Sequence, residues 1–387
     1  MKKKIAIIGS TGSIGSTTLD IIKSDIKNIS VDLLTTNKNI KKIYNQIKKF
    51  KVKNIVIHDQ KTLNKYRIFF KKKKINIFSN IEEFNKSYKK KLDYTMISIT
   101  GLAGLKPTLD IIKKTKTIAI ANKESIICAW NLISDELKKN KTNFIPVDSE
   151  HFSIWSILEK KNFTKNIDKI FITASGGPFL KLPIKEFDKI TPKAAIKHPN
   201  WKMGKKISID SATLMNKIFE VIEAKNIFDV KLKQIKILIH QQSYVHAMIK
   251  FINGYTKLLI HETSMKIPIF NSLFNNAKKI KTKSLDIEKL NSMNFSNVDT
   301  VKFPLTKILN EIPDNISLFE TIIVSANDEL VNLSLKNKIR FNDISIELLK
   351  FLKKTENQKY KLIKPKNINQ IDKLSKDVRL KILSLSV

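Results

Sequence analysis

The sequence predicts an α/β protein: an N-terminal doubly wound parallel sheet of the Rossmann type, a central α+β domain and a small C-terminal helical domain. Three observations predict it. A short all-apolar run, Ile5 to Ile8, leads straight into GSTGSIG, which spaces Gly9, Gly12 and Gly15 three residues apart ahead of a helical segment from Thr17 to Ile22. Strand and helix signals then alternate as far as residue 150, and 387 residues exceed what one ordinary core holds. After the glycines the next strand is Val31 to Leu34, with Asp32 inside it and a tip at Thr35, Thr36, Asn37, Lys38 and Asn39. Asn54 to Ile57 is a further strand, and residues 59 to 91 read as helical with little to specify them. Three strand-to-loop transitions follow: Tyr94 to Ile99 into Gly101, Thr117 to Ala121 into Asn122, and Asn143 to Val147 into Asp148. Helices from Pro107 to Lys114 and Ser125 to Lys139 separate them. In such sheets ligands lie outside the carboxyl ends of the strands, where each of these tips carries polar groups.

Beyond the first domain, Lys169 to Thr173 is a strand ending in the loop Ser175, Gly176, Gly177, whose amides and hydroxyl suit a phosphate. Ile235 to His240, Tyr244 to Phe251 and Lys257 to Ile260 read as an antiparallel sheet. Residues 276–301 are polar and mixed, as in a linker, and Ile316 to Lys336, Asp343 to Lys354 and Ile368 to Ser386 read as helices.

A formal net charge of +37 invites a nucleic-acid or membrane reading. The distribution argues against both. Lysines are scattered in small groups, the only arginines are Arg67, Arg340 and Arg379, and no apolar run approaches a membrane span. Cys128 is the single cysteine, which rules out an internal disulfide and points to a reducing, cytoplasmic setting. Its neighbours Ile126, Ile127 and Trp130 describe a buried thiol more than a nucleophile.

The richest stretch runs from His198 to Ala224. His198, Trp201 and Met203 around Pro199 and Gly204 have the mix of groups expected of a mobile cover over a ligand. Ile207 and Ile209 alternate with Ser208 and Asp210 as in a short strand, and Ser211 stands where a helix is capped. From Leu214 the apolar residues recur at helical spacing, with Asn216, Lys217, Glu220 and Glu223 on another face. That helix start suits a phosphate and Glu220 suits a metal, although a solvated amphipathic helix gives the same pattern. Asp148 and Glu150, one residue apart at a strand end, can converge on magnesium or manganese if the chain turns there, or Asp148 and Ser149 can cap the next helix. At the tip after Leu34 no carboxylate stands where NAD's ribose needs one, which favours NADP(H).

Taken together and in order, GSTGSIG, ANKES at 121–125, PVDSEH at 146–151, ASGGPF at 174–179 and HPNWKMGKKISIDSATLMNK at 198–217 closely resemble the 1-deoxy-D-xylulose 5-phosphate reductoisomerase family over nearly the whole chain. The resemblance implies an NADPH- and divalent-metal-dependent homodimer. Its substrate is a ketose phosphate, which is rearranged to a branched aldehyde and reduced to 2-C-methyl-D-erythritol 4-phosphate. It implies an NADPH-binding domain at 1–148 and a catalytic domain at 149–275 with a flap at 198–204. A C-terminal helical domain at 302–387 follows the linker. The family's metal ligands fall on Asp148, Glu150 and Glu220, and its phosphate-binding groups on Ser175, Ser211, Asn216 and Lys217. Lys123 and Ser149 match residues that contact substrate oxygens; His198, Trp201 and Met203 match the flap. Thr11, Gly12, Ser13, Ile14, Asn122, Glu124 and Gly204 are expected around the cofactor, with Asn37, Lys38 and Asn39 near its 2′-phosphate.

Several positions depart from the family pattern: Ile218 replaces a glycine, Gln241 a proline, Val324-Ser325-Ala326-Asn327-Asp328 stands for Asn-Ala-Ala-Asn-Glu, and a Gly-x-Pro-Asp-Met segment survives mainly as Met265. A competing reading is another NADP-dependent dehydrogenase of a phosphorylated or acidic small molecule, with Cys128 as nucleophile.

Overall fold

The structure, a computed structural model, describes residues 2–158, 166–197, 201, 204–274 and 278–384. By its contacts the chain divides into two compact units. The first comprises residues 1–125, 131–152 and 265–281, and the second residues 126–130, 153–264 and 282–387.

The first unit is built on seven strands, β1 (Lys3–Ile8), β2 (Ile29–Thr36), β3 (Asn54–Ile57), β4 (Asn76–Phe78), β5 (Leu92–Ile97), β6 (Thr115–Ile120) and β7 (Asn143–Pro146). All pair in parallel, in the order β4-β3-β2-β1-β5-β6-β7. Ile5, Ile7 and Ile8 are fully buried, which is why β1 is apolar on both faces. The order reverses between β1 and β5, so the crevice of the sheet opens beside the glycine loop. The strand β4 was not legible: it is three residues long at the sheet's edge, too short to show a period, and the segment around it is otherwise helical (Gln60–Lys72 and Ile81–Ser87).

The second unit holds a five-stranded sheet of β8 (Ile167–Ala174), β9 (Ile235–Ile239), β10 (Val245–Phe251), β11 (Thr256–Ile260) and β12 (Ser296–Asn297), in the order β11-β10-β8-β9-β12. The expected antiparallel sheet is corrected to a mixed one. Strand β9 pairs with β8 in parallel, and β10 lies antiparallel to β8 and β11. Residues 207 to 210, expected as a short strand, likewise lie within a helix, Lys205–Ala212. Four alternating residues fit either period; the i,i+4 pair between Lys206 and Asp210, at 3.2 Å, belongs to the helix. Within 276–301 a short helix, Ile287–Asn291, precedes β12.

The helix Met215–Phe228 is buried along nearly its whole length, including Lys217, Glu220, Glu223, Lys225 and Asn226. Lys225 donates to the Pro313 carbonyl at 2.8 Å and pairs with Glu320 at 3.5 Å, Glu320 being fully buried at the start of the helix Phe319–Leu335. Burial pushes the Lys225 ammonium down and the Glu320 carboxyl up from their ordinary values. Ser317 satisfies Glu320 further through its hydroxyl at 2.5 Å and its amide at 3.2 Å.

His240, at the end of β9, is fully buried and stacked on Phe295. Its Nε2 accepts from the amides of Tyr244 and Val245 at 3.1 and 3.2 Å, so the proton sits on Nδ1 and is donated to the Asn294 carbonyl at 3.0 Å. Desolvation holds its pKa below the ordinary 6.5. Between those two pKa values the unfolded chain binds the extra proton, so stability is full above 6.5 and is lost as pH falls towards the folded value. In guanidinium unfolding, wild type should lose up to about 1 kcal/mol more than His240→Asn between about pH 7.5 and 5.5. Equal losses would overturn the assignment.

Candidate active site

The glycine loop follows β1 directly. Gly9 has φ +90, and a Cβ there would lie 2.9 Å from the Ser98 carbonyl, just past β5. At Gly15 a Cβ would meet the Gly9 oxygen at 2.5 Å and the Ser10 Cα at 2.6 Å, so the helix Ser13–Lys23 approaches the loop as closely as backbone allows. Gly12 stands at that helix's N-cap with no side-chain cap, which leaves the first-turn amides of Ser13 and Ile14 as the kind of donors that suit an anion. Thr11 lies beside the loop, its hydroxyl 3.0 Å from that of Thr36. This is a cradle that a Cβ would fill, and it fits a dinucleotide pyrophosphate.

Asn37, Lys38 and Asn39 are exposed just beyond β2. Asn39 also caps the helix Ile40–Phe50 by accepting from the Lys42 amide at 3.1 Å, and Lys38 lies 3.6 Å from Asp59. Asn122 has a comparable structural task. It caps the helix Lys123–Asn140 through the Ser125 amide at 2.8 Å and donates to the carbonyls of Ile99 and Gly101. Glu124, in the first turn of that helix, is buried.

Because Ile120 pairs with Pro146, the loops after β6 and β7 are neighbours. They bring Lys123 and Asp148 into a 2.7 Å ion pair, both largely shielded from solvent. Asp148 also accepts from the Ser149 amide at 3.1 Å while its carbonyl receives the Phe152 amide, so it caps the helix Ser149–Leu158. Glu150, buried, accepts from the Ser149 hydroxyl at 2.6 Å. His151 is fully buried with Nδ1 3.9 Å from Asp148. It escaped the sequence reading although its i+3 spacing from Asp148 on a helix was the signal available.

In the second unit, Gly176 and Gly177 have φ +81 and +69. Gly177 donates to the Ser175 hydroxyl at 3.2 Å, and a Cβ on it would lie 2.9 Å from the Ser211 carbonyl. The Ser175 loop is thus pressed against the end of the helix Lys205–Ala212, where Ser211 lies. Ser211 is not a helix N-cap, as expected, but sits in that helix's last turn. The chain then reverses at Leu214, which has φ 60, and enters the helix Met215–Phe228. In its first turns Asn216 donates to Glu220 Oε1 and Lys217 Nζ meets Glu220 Oε2 at 2.6 Å. Glu220 and Glu223 are 1% exposed, so the solvated-helix reading is excluded. Ile218 is fully buried too. Gly204 precedes the helix Lys205–Ala212, and a Cβ there would meet nothing within 4 Å. Trp201 stands with its ring 6.0 Å from that of His246; His198 and Met203 lie outside the described residues.

The donor sets are chemically those of a hard divalent cation: carboxylates at Asp148 and Glu150 in one unit and at Glu220 in the other, with neighbouring amide, hydroxyl and ammonium groups. Cys128 is fully buried with its thiol directed at the Glu320 carbonyl, which removes it as a nucleophile.

Comparison with known proteins agrees along the chain. A family model described as 1-deoxy-D-xylulose 5-phosphate reductoisomerase matches residues 5–130, and two C-terminal-domain models of the same family match 144–228 and 260–381. The reductoisomerase of Pelagibacter ubique is 58% identical with all of both chains covered, and that of a Sulfurihydrogenibium species is 38% identical with 92% of each covered. Among solved structures, the Zymomonas mobilis reductoisomerase in complex with NADPH aligns at 33% identity and TM-score 0.87, covering 100% of this chain and 99% of its own. A DOX-P reductoisomerase in complex with NADPH, fosmidomycin and magnesium aligns at 30% and 0.90, covering 99% and 98%. Motifs, fold and relatives converge, and the chain belongs to the 1-deoxy-D-xylulose 5-phosphate reductoisomerase family.

Proposed function

We propose that this chain rearranges 1-deoxy-D-xylulose 5-phosphate and reduces the resulting aldehyde to 2-C-methyl-D-erythritol 4-phosphate, a step of isoprenoid precursor synthesis, using NADPH and a divalent cation. The observation that carries it is the carboxyl edge of the parallel sheet. There one unit presents the Gly9–Gly15 cradle at β1 and the Lys123–Asp148 pair with Glu150 at β6 and β7.

Residues 1–148 form the cofactor domain, 149–275 the catalytic domain and 302–387 the C-terminal helical domain. Thr11, Gly12, Ser13 and Ile14 hold the pyrophosphate, while Asn37, Lys38 and Asn39 receive the 2′-phosphate, with Asn122, Glu124 and Gly204 lining the cofactor. NADPH supplies the hydride for the reductive half. Asp148, Glu150 and Glu220 hold magnesium or manganese, which as a Lewis acid polarises the ketone and its neighbouring hydroxyl. Ser175, Ser211, Asn216 and Lys217 anchor the substrate phosphate, so that its binding energy orients the reacting end. Lys123 and Ser149 position the oxygens that bear developing charge. His198, Trp201 and Met203 close over the substrate and exclude water.

A homodimer in the cytoplasm completes the reading. Its supports are β11, a sheet edge that carries exposed Leu258 and follows exposed Tyr255, and the single cysteine. No helix among the described residues is long and apolar enough to cross a membrane.

The direct test is NADPH oxidation with 1-deoxy-D-xylulose 5-phosphate, with and without magnesium. Metal-dependent oxidation is expected, and none from well-folded protein in either case would overturn the reading. Glu220→Gln should raise the magnesium requirement, whereas Lys217→Ala should chiefly raise KM for the sugar phosphate; an unchanged metal titration for Glu220→Gln would count against its role as ligand. Gly15→Ala, with no room for its methyl, should weaken NADPH binding by at least about tenfold in a fluorescence titration. Unaltered affinity would show that the cradle is only a turn.

A further inference from the structure

The second unit contains a pair of histidines to which the proposed reaction assigns no role. His246 and His261 are both buried, and their rings stack at 3.7 Å between centroids with 16° between planes. Their positions follow from a defect in the sheet. Strand β10 pairs with β11 through a register shift between Val245 and Ala247, so His246 is the residue left over in a bulge. A bulge re-aims the side chain it carries. His261 is the first residue past the end of β11, and its amide donates back to the Tyr244 carbonyl at 3.2 Å.

The backbone fixes both rings. Nε2 of His246 faces the His261 carbonyl at 3.2 Å, and Nδ1 of His261 faces the Glu262 carbonyl at 2.7 Å. A ring nitrogen opposite a carbonyl oxygen must carry the proton, so each tautomer is set. One face of His246 is covered by His261, and the ring meets Trp201 at 6.0 Å with planes at 73°, an edge-to-face contact. The three rings form a chain from the end of β11, through the bulge, to Trp201. In the family pattern Gly-x-Pro-Asp-Met that ends here at Met265, position 261 is the glycine.

We propose that His261 is a positioning residue: its ring holds His246 in the orientation that seats the Trp201 ring, and so sets how well Trp201 is placed to bind the sugar phosphate. The role assigned to it is exerted through His246. The role rests on the reading of Trp201 as a substrate-binding residue, and the stacking ring is one that a glycine at position 261 lacks.

The test compares His261→Gly, His261→Leu and His261→Phe in the full-length enzyme. An aromatic contact of this kind is equivalent to about two- to twelvefold in an equilibrium. His261→Gly and His261→Leu should therefore raise KM for 1-deoxy-D-xylulose 5-phosphate by about that factor and leave kcat within about twofold, while His261→Phe, which keeps a flat ring, stays near wild type. A second readout needs neither substrate nor turnover. With Trp130 and Trp155 replaced by phenylalanine, acrylamide quenching of Trp201 should increase in His261→Gly and His261→Leu and be restored in His261→Phe. Identical quenching in all four proteins, or a fall in kcat at unchanged KM, would overturn the proposal. Because quenching is measured on the ligand-free protein, it decides the role of His261 even if wild type fails to turn over the substrate.

Discussion

A helix that is buried on every side and yet carries charge sets the terms for the second unit. Met215–Phe228 holds Lys217, Glu220, Glu223 and Lys225 away from water, and each such group is stable there only if the surrounding chain supplies a partner. At one end Glu220 takes up Lys217 and Asn216 within the helix itself. Towards the other, Lys225 is met by Glu320 and the Pro313 carbonyl, and Asn226 donates to the Ile126 carbonyl at 3.2 Å. Replacing these polar groups with apolar ones is a common way to gain stability, so their presence reflects what the helix must do at its first turns.

The same logic extends to the neighbouring helix. Lys206 bridges Asp210 and Asp328 at 3.2 and 2.8 Å, Asn327 donates to Asp210, and Arg379 ties Asp328 to the final helix. Asp328 stands where the family pattern has glutamate, and its shorter side chain still reaches both cations. The departures at Asp328 and Ser325 thus fall on residues that have partners in this chain, the hydroxyl of Ser325 meeting that of Ser375 at 2.8 Å.

The parallel sheet was legible because its strands are apolar on both faces and its glycines are required by contact: Gly15 leaves no room for a Cβ, and Gly9 has φ +90. Strand ends fell within a few residues of their expected places from β1 to β3 and from β5 to β7. What was lost was lost for identifiable reasons. The three-residue edge strand β4 is too short to display a period, and the pairing of β9 with β8 across more than sixty positions has no local signature. Residues 207 to 210 alternate over too few positions to separate a strand from a helix. At the site, the hydroxyl and carboxylate partners of Ser149 and Glu150 are adjacent in sequence and could be read. The His246–His261 stack depends on a bulge that no spacing reveals.

The pairing of Lys225 with Glu320 also bears on how the chain is made. Ninety-five positions separate the two residues, and Asn327 lies 117 positions beyond Asp210. During vectorial synthesis the middle of the chain emerges long before the residues that neutralise it, so the helix Met215–Phe228 cannot sink into its core until the C-terminal helices have left the ribosome. The seven parallel strands all lie between residues 3 and 146, so their ladder can form earlier, although the first unit too is finished only when residues 265–281 arrive and Ser272 meets the hydroxyl of Tyr94.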